Sequence, residues 1–281
     1  MNFSLYMNFA EMVQEKGIRA TAEYARSMGF SSVEMLEVAR PEHPIVFRTV
    51  HEAAEAKKVL DEYGLTMACY SVGAGIYRNP EAEAALMRHA DIAAALGSPY
   101  LHHTMVSSVE AVGAPSKAEA IEVVTDAAER VAAYAASLGL SCIYEDQGRV
   151  VNGIDGFGTF FRELKRRRPE VGVCGDIGNC LFVDTEPEDF FRTYIKDIVH
   201  VHIKDYIRKS APAAPGKDWH RTDNGRWLRD TTIGSGCVDF DACMKILKDA
   251  GYTGAYALEL CHPEPFDYGV KQAMEYLSRR A

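Results

Sequence analysis

Four short apolar segments in the second half of the chain each end in a side chain that can bind a metal ion. The four side chains are Glu145, Asp176, His202 and Glu259. Apolar runs of this length are typical of buried parallel strands, and parallel strands place their carboxyl ends on one side of the sheet. We therefore expect three carboxylates and one imidazole to converge there and to form a site for a divalent metal ion.

Further histidines lie on the same set of predicted strands. His200 shares a strand face with His202 but lies one layer deeper, so we interpret it as a hydrogen-bonded histidine that supports the ligand. His102 and His103 end the fourth predicted strand, and neighbouring side chains on a strand point to opposite faces. Only one of them can enter the proposed site, where it would bind substrate hydroxyls, bind metal or simply pack.

Lys204 and Asp205 come soon after His202 in the same run. They form either an ion pair exposed to solvent or a pair of supports that orient the metal ligands. The second interpretation is slightly favoured.

Strand-like and helix-like segments alternate along the whole chain. Eight strands are predicted, at Phe3–Phe9, Val33–Val38, Leu65–Val72, Tyr100–Met105, Ser141–Glu145, Val171–Asp176, Ile198–His202 and Ala255–Glu259. Helical periodicity lies between them, for example over Thr49–Tyr63, Glu81–Leu96, Lys117–Leu138 and Asp239–Ala250. Several of these helices are followed by glycine, which is typical of a helix C-cap. This alternation predicts an α/β fold of the (β/α)8 TIM-barrel type.

A doubly wound open sheet is the main alternative fold, and it would carry a glycine-rich phosphate loop after its first strand. The first predicted strand instead runs into Asn8-Phe-Ala-Glu-Met12. The only long irregular stretch, residues 206–236, is rich in Pro, Gly and charge and contains Trp219 and Trp227. Because it follows strand 7 on the rim of the proposed site, we predict a lid or insertion within a single domain that covers residues 1–281.

The composition limits the classes of partner. A chain of 281 residues with 47% hydrophobic residues is typical of a globular protein. The formal net charge of −9 disfavours nucleic acid as a partner, because binding to a phosphate backbone depends on a basic surface. No apolar run is long enough to cross a bilayer and the N-terminus has no leader-like pattern, so we expect a cytoplasmic protein without membrane contact. Assembly into a homo-oligomer stays open.

The seven cysteines lie mostly inside apolar runs, which is typical of buried free thiols in a reducing compartment. Cys174 and Cys180 flank Asp176, so a zinc thiolate site is an alternative for this segment. Their spacing matches no common zinc motif, which disfavours that alternative.

Several of these segments together resemble the xylose-isomerase-like TIM-barrel superfamily, and in particular its ketose 3-epimerase branch. The resemblance rests on Glu145, the turn Asp176-Ile-Gly-Asn179, the run His200-Val-His-Ile-Lys-Asp205, the segment Gly234-Ser-Gly-Cys-Val-Asp-Phe240 and Glu259. It covers nearly the whole chain, and the segment Gly29-Phe-Ser-Ser-Val-Glu34 also fits it. The superfamily includes sugar isomerases, ketose 3-epimerases, inosose dehydratases and endonuclease IV.

The resemblance implies one divalent metal ion held by Glu145, Asp176, His202 and Glu259. The resemblance implies Mn²⁺ or a related ion, and three oxygen donors with one nitrogen donor also suit Mg²⁺ and Co²⁺, with Zn²⁺ as a further alternative. It also implies that Glu145 and Glu259 serve as base and acid in a sugar isomerisation or epimerisation through a metal-stabilised enediolate. The expected substrate is a small sugar or a polyol-derived molecule.

Four residues are predicted to contact that substrate. Arg208 falls where ketose 3-epimerases carry a substrate-binding arginine, although a solvent-exposed arginine at the root of a loop is an equal alternative. Asn179 stands where those enzymes have a histidine, which leaves the metal site intact and puts the precise reaction in doubt. His103 and Lys204 complete the predicted set.

Three other functions fit parts of the pattern. An inosose-dehydratase-like lyase would use the same ligands with a different substrate pose. A metal phosphodiesterase of the endonuclease IV kind needs extra histidine ligands, for which His102, His103 and His220 are candidates, but Asn179 replaces one expected ligand and the chain is acidic. A non-catalytic sugar-binding barrel is disfavoured because all four ligand positions are filled.

Overall fold

The structure is a computed structural model that describes residues 1–38, 45–261 and 265–280. Eight parallel strands form a closed barrel. These strands are β1 (Asn2–Leu5), β2 (Ser32–Val38), β3 (Thr66–Gly73), β4 (Tyr100–His103), β5 (Ser141–Glu145), β6 (Gly172–Ile177), β7 (Ile198–Ile203) and β11 (Ala255–Leu258). Around the circumference their order is β1, β11, β7, β6, β5, β4, β3, β2. The predicted (β/α)8 barrel is confirmed.

Helices connect the strands and cover the outside of the barrel. They are α1 (Phe9–Ser27), α2 (Val50–Glu62), α3 (Pro80–Ala95), α4 (Val109–Val112), α5 (Lys117–Ser137), α6 (Gly158–Arg167), α7 (Pro187–Tyr194), α8 (Phe240–Asp249) and α9 (Phe266–Ser278). Side-chain caps fix several N-termini, as where Ser116 Oγ accepts a hydrogen bond from the backbone N–H of Glu119. Gly139 follows α5 with a φ of 81°, a conformation that favours glycine.

The first predicted strand is too long. β1 ends at Leu5, and the chain turns at Asn8, whose φ is 67°. Asparagine tolerates this left-handed conformation better than most residues, so the turn ends the strand and lets α1 begin at Phe9. The apolar residues after Leu5 therefore belong to the turn and to the start of a helix, a distinction that a short apolar run does not reveal.

The insertion (residues 206–236) is more regular than its composition predicts. β8 (Asp205–Lys209), β9 (His220–Arg221) and β10 (Trp227–Thr231) form an antiparallel sheet in the order β8, β10, β9. Its sheet lies against the loops that follow β5 and β6, because Arg149 donates to the Asp223 carboxylate and Arg226 Nε lies 3.0 Å from Asp184 Oδ1. The insertion therefore borders the carboxyl end of the barrel, which is the side expected for a lid.

The carboxylate of Asp205 joins the two ends of the insertion. Its Oδ1 accepts hydrogen bonds from the backbone N–H groups of Tyr206 and Val238, and its Oδ2 accepts from those of Gly234 and Gly236. A carboxylate suits this position because both of its oxygens accept hydrogen bonds. Asp205 therefore faces the insertion and does not pair with Lys204.

Replacing Asp205 by asparagine is expected to loosen the insertion. The new amide nitrogen would face two backbone N–H groups, so two charge-assisted hydrogen bonds worth roughly 1.5–3 kcal/mol each would be lost. Trypsin should then cleave after exposed Lys217 faster than in the unmodified protein, with the rate followed by mass spectrometry. Asp155→Asn, an exposed change outside the insertion, is the matched control. Equal cleavage rates for the two variants would show that Asp205 does not hold the insertion.

Acid is expected to destabilise the barrel through a histidine remote from the proposed metal site. His89 is buried, its Nδ1 lies 3.0 Å from Tyr70 Oη, and burial lowers its pKa from 6.5 to about 4. The folded protein then keeps His89 neutral while the unfolded chain protonates it, so stability is present above pH 6.5 and is lost as the pH falls toward 4. At pH 5 this group alone should cost about 2 kcal/mol.

Urea denaturation at pH 7 and pH 5 measures this effect. His89→Gln should reduce the loss of unfolding free energy between the two pH values by about 2 kcal/mol. The exposed His51→Gln variant should show the full loss. Comparing variants cancels other titrating groups, including Glu37, whose buried carboxyl has a pKa raised to about 7 and acts in the opposite direction. If His89→Gln loses as much unfolding free energy between pH 7 and pH 5 as the unmodified protein, the acid sensitivity arises from another group.

Candidate metal centre

The four predicted metal ligands lie together at the carboxyl end of the barrel. Each offers a ligand atom that lies within 4.8 Å of those of the other three; the residues are Glu145, Asp176, His202 and Glu259. β5 ends at Glu145, Asp176 and His202 are register partners on β6 and β7, and Glu259 directly follows β11. The first three are buried and Glu259 is partly exposed, so the cluster opens on one side.

His202 turns one nitrogen toward Glu145 and Glu259 and the other toward Glu34. Its Nδ1 lies 2.8 Å from Glu145 Oε1 and 3.6 Å from Glu259 Oε2, whereas its Nε2 lies 3.0 Å from Glu34 Oε1. Burial lowers the pKa of His202, but Cys174, Glu34 and Glu145 together outweigh burial and raise it well above 6.5. Nδ1 of His202 therefore stands among carboxylates, in surroundings that stabilise a cation.

The two oxygens of Asp176 have different partners. Its Oδ1 accepts from the backbone N–H of Asn179 at 2.6 Å, while its buried Oδ2 lies 3.2 Å from Lys204 Nζ and has no partner with hydrogen-bond geometry among the residues described. Burial raises the pKa of Asp176 well above its usual value, Lys204 opposes that shift, and Glu145 reinforces it. A buried carboxylate oxygen without a hydrogen bond, beside other carboxylates, fits a divalent cation, which would relieve the repulsion that the single ammonium of Lys204 leaves.

Lys204 lies beside the cluster and is 5% exposed. Its Nζ lies 2.6 Å from Glu259 Oε1, 3.1 Å from Asn179 Oδ1 and 3.2 Å from Asp176 Oδ2. The ammonium therefore neutralises part of the negative charge and restrains the Glu259 carboxylate. Of the two interpretations given for Lys204, the geometry matches a support for the ligands.

Glu34 links the cluster to the barrel interior beneath it. Its Oε2 lies 2.6 Å from His200 Nε2, and its Oε1 lies 3.0 Å from His202 Nε2 and accepts from Ser71 Oγ at 2.5 Å. Burial raises the pKa of Glu34, but His202 and His200 outweigh it and keep this pKa well below 4.5. A carboxylate that accepts from one nitrogen of an imidazole fixes the ring, so Glu34 holds His202 with Nδ1 facing Glu145 and Glu259.

A cavity of about 590 Å³ adjoins the cluster on the side of β3, β4 and β5. Its lining includes Gly75, Asn79, His102, His103 and Glu145. This volume lies within the range of about 300–1,000 Å³ that is usual for small-molecule sites. Glu145 is the ligand candidate that contributes to the lining, so it faces both the ligand cluster and the space for a substrate.

The paired histidines at the end of β4 have different surroundings. His102 faces the barrel interior, where its Nδ1 lies 3.0 Å from Ser71 Oγ and its ring packs edge-on against His202. His103 packs edge-on against Tyr144, and its Nδ1 lies 3.0 Å from the carbonyl oxygen of Thr104. Both line the cavity, but His102 is the one that lies beside the metal-ligand candidates.

The remaining predicted substrate contacts divide into near and distant. Asn179 lies at the cluster, with Oδ1 on Lys204 and a buried Nδ2 that has no partner among the described residues. Arg208 instead donates to Glu186 Oε1 at 2.6 Å and does not line the cavity described above. Its role as a substrate contact therefore stays a prediction, and it would require this ion pair to open.

Several residues of the centre were not assigned a role from the sequence. Tyr6 stacks on His202 with ring centroids 4.6 Å apart, and the buried Asp146 has a pKa raised well above its usual value by burial, Asp176 and Glu145. Asp146 directly follows Glu145, and this position beside a predicted metal ligand is a signal in the sequence that could have identified it as part of the centre. No such signal identified Tyr6, because it comes after the end of β1.

The two cysteines that flank Asp176 do not form a shared ligand group. The Cys174 thiol lies near the ligand atoms of His200 and His202, whereas Cys180 joins no such group in the described ranges. The paired thiolate alternative therefore gains no support.

Comparisons with known proteins agree with this architecture. The family model described as xylose isomerase-like TIM barrel matches residues 22–280. Inosose dehydratase 2 of Bacillus cereus is 28% identical over 118 residues, which are 40% of this chain and 38% of that protein. The chain thus matches about two fifths of that relative's length.

No helix in the described ranges is long and apolar enough to cross a membrane.

Solved structures share the fold at low sequence identity. D-psicose 3-epimerase in the presence of D-fructose has a TM-score of 0.71 and 15% identity, covering 99% of this chain and 98% of that one. The IOLI protein with a bound zinc atom has a TM-score of 0.73 and 14% identity, covering 100% and 98%. Identities this low show the fold alone, whereas the family match covers most of the sequence. This chain therefore belongs to the xylose isomerase-like TIM-barrel family.

Proposed function

We propose that this protein is a divalent-metal-dependent sugar isomerase or epimerase in which Glu145 and Glu259 transfer protons at the carbon beside a substrate carbonyl. The observation that carries the proposal is the pair of glutamates that flank one ligand cluster, with Glu145 also lining a cavity of about 590 Å³. We further propose Mn²⁺ as the ion, with Mg²⁺, Co²⁺ and Zn²⁺ as alternatives, because the cluster offers three carboxylates and one imidazole. When bound, the ion would supply positive charge that acidifies the C–H beside a carbonyl.

The two glutamates have different neighbours and therefore different roles. Glu145 Oε1 faces His202, while its Oε2 lies 3.8 Å from His102 Nε2, so Oε2 is the oxygen that can take a proton from a molecule in the cavity. Burial raises the pKa of Glu145, but His202, Lys204 and His102 outweigh burial and lower it to about 2. Glu145 is thus ionised at neutral pH, which is the state required of a base.

Glu259 is the partner for the second proton transfer. Lys204 donates to its Oε1 at 2.6 Å and holds the carboxylate at the edge of the cluster, where it is partly exposed. A proton that leaves one face of the substrate can be replaced from the other face only if the two carboxylates lie on different sides of the reacting carbon. The separate attachments of Glu145 and Glu259 support that arrangement, and Asn179, His103 and Lys204 are the proposed substrate contacts beside it.

Dehydration of a polyol-derived ketone is a second candidate function. It is favoured by the similarity to an inosose dehydratase, although that match covers 40% of this chain. Both reactions begin with the same proton abstraction, because loss of a hydroxyl next to a carbonyl also starts at the acidified carbon. They differ in whether the substrate keeps all of its oxygen atoms.

One experiment separates these functions. The protein is loaded with Mn²⁺ or Mg²⁺ and incubated in D₂O with D-fructose, D-psicose or inosose, and the products are analysed by NMR and mass spectrometry. An isomerase or epimerase should return an isomer that carries deuterium beside the carbonyl, whereas a dehydratase should return a product lighter by one water. Protein treated with EDTA is the control. Turnover that is unaffected by EDTA would contradict metal dependence.

A further inference from the structure

We infer that His102 is a further substrate-binding residue of this site and that its Nε2 accepts a hydrogen bond from a substrate hydroxyl. Ser71 and Glu34 fix the ring tautomer that makes this hydrogen bond possible. The inference rests on the proposed function for the identity of the ligand. The tautomer itself rests on hydrogen bonds that are independent of that function.

The proton count at Ser71 determines the tautomer of His102. Ser71 Oγ lies 2.5 Å from Glu34 Oε1 and 3.0 Å from His102 Nδ1. A carboxylate accepts hydrogen bonds but cannot donate them, and a hydroxyl has a single proton to give. Ser71 therefore donates to Glu34 and must accept from His102, so the ring proton of His102 lies on Nδ1.

Glu34 is well placed to remain the acceptor in this chain. Besides Ser71, it faces Nε2 of His200 at 2.6 Å and Nε2 of His202 at 3.0 Å. Its two oxygens thus meet three donors inside the barrel, all fully buried. A proton on Glu34 would leave one of these donors without an acceptor, which a buried network disfavours.

His102 Nε2 then carries a lone pair without a partner. The ring is 2% exposed, and Nε2 has no hydrogen-bond partner among the described residues. The nearest carboxylate oxygen, Glu145 Oε2, is 3.8 Å away, which is too far to share a proton with it. A buried acceptor of this kind is usually satisfied by a ligand or an ordered water. Because His102 lines the cavity, a bound molecule can reach it.

The chemistry of the acceptor defines what it can bind. A substrate hydroxyl can donate to Nε2, whereas a carbonyl or ether oxygen at the same place cannot. Since Nε2 lies beside Glu145 Oε2, that hydroxyl would belong to a carbon close to the one that loses its proton. The site would therefore select hydroxy ketones, with a free hydroxyl near the reacting carbon, over ketones that lack it.

The tautomer can be measured without turnover. In protein labelled with ¹⁵N-histidine and loaded with diamagnetic Mg²⁺, two-bond ¹H–¹⁵N correlation distinguishes a protonated ring nitrogen from an unprotonated one. We expect a protonated Nδ1 and an unprotonated Nε2 for His102, with the signals assigned by their loss in His102→Gln. Ser71→Ala removes the acceptor and should shift the proton toward Nε2. Ser71→Thr keeps the hydroxyl and should preserve the original tautomer.

Steady-state kinetics test the role in binding. For whichever of D-fructose, D-psicose and inosose is turned over, Ser71→Ala should raise KM about tenfold, the factor expected for one lost hydrogen bond, and Ser71→Thr should restore it. A proton on Nε2 in the unmodified protein, or the same tautomer in Ser71→Ala, overturns the inference whatever the activity. Correct tautomers with an unchanged KM overturn the substrate contact. If none of these sugars reacts, the proposed function fails for them, and the NMR result still decides the tautomer.

Discussion

Replacing Glu145 by glutamine is expected to lower turnover by at least about 10²–10⁴-fold, the usual contribution of general acid–base catalysis. Glutamine keeps the shape of the side chain and one oxygen that can face the metal, but it cannot accept the substrate proton. The same change at Glu259 removes the carboxylate that Lys204 holds at 2.6 Å, and it should reduce turnover comparably. Initial rates with the active sugar measure both effects.

Exchange with solvent distinguishes the two glutamates. If each serves one face of the reacting carbon, the Glu145→Gln protein should still exchange the proton on the Glu259 side in D₂O, and the reverse should hold for Glu259→Gln. Net conversion should stop in both. The exposed Glu81→Gln variant is a control for the change of charge. Full turnover in either active-site variant, or product formed without solvent deuterium and without internal proton transfer, would exclude this mechanism.

Removing a ligand should abolish metal binding while the barrel remains folded. Asp176 has a buried oxygen without a hydrogen bond among the described residues, and His202 directs Nδ1 into the same cluster. Asp176→Ala and His202→Ala should therefore retain almost no metal after desalting, as measured by elemental analysis. Circular dichroism should show that the secondary structure is preserved, because pairing between the parallel strands holds β6 and β7 in the barrel.

Thermal unfolding provides an independent measurement of the same loss. A metal ion that binds the folded state alone at about 100 times its dissociation constant stabilises it by about 2.7 kcal/mol. Adding Mn²⁺ should raise the Tm of the unmodified protein and of Asp155→Ala, an exposed control. It should not raise the Tm of Asp176→Ala or His202→Ala. Full metal occupancy in either ligand variant would show that the assigned ligands are wrong.

The sequence by itself predicted the barrel and the convergence of its four metal-ligand candidates. Both follow from local rules, since parallel strands share one end and apolar runs show where each strand stops. Glu145, Asp176 and His202 lie at or near the last residues of such runs, so their meeting within 4.8 Å needed no knowledge of packing. Local rules failed at the first strand, because the left-handed turn at Asn8 ends β1 earlier than the apolar run indicates.

Tertiary structure decided which side chains support the cluster. Glu34 reaches His200 and His202 across 166 and 168 residues of sequence, and a register shift between Val33 and Glu34 affects how that carboxylate is positioned. Strand alternation gives opposite faces to His102 and His103, but the direction toward the interior depends on the register with β3 and β5, which the sequence does not contain.

The insertion was decided by contacts between segments that are distant in sequence. Asp205 accepts hydrogen bonds from Gly234, Gly236 and Val238, and Arg208 pairs with Glu186 outside the cavity lining. Composition predicts that residues 206–236 form a long surface segment, but the antiparallel pairing of β10 with β8 and β9 makes the segment a sheet. Local residue patterns thus determined the barrel and its metal-ligand candidates. The hydrogen-bond partners that orient these candidates depend on strand register and loop closure, and both are fixed only in the folded chain.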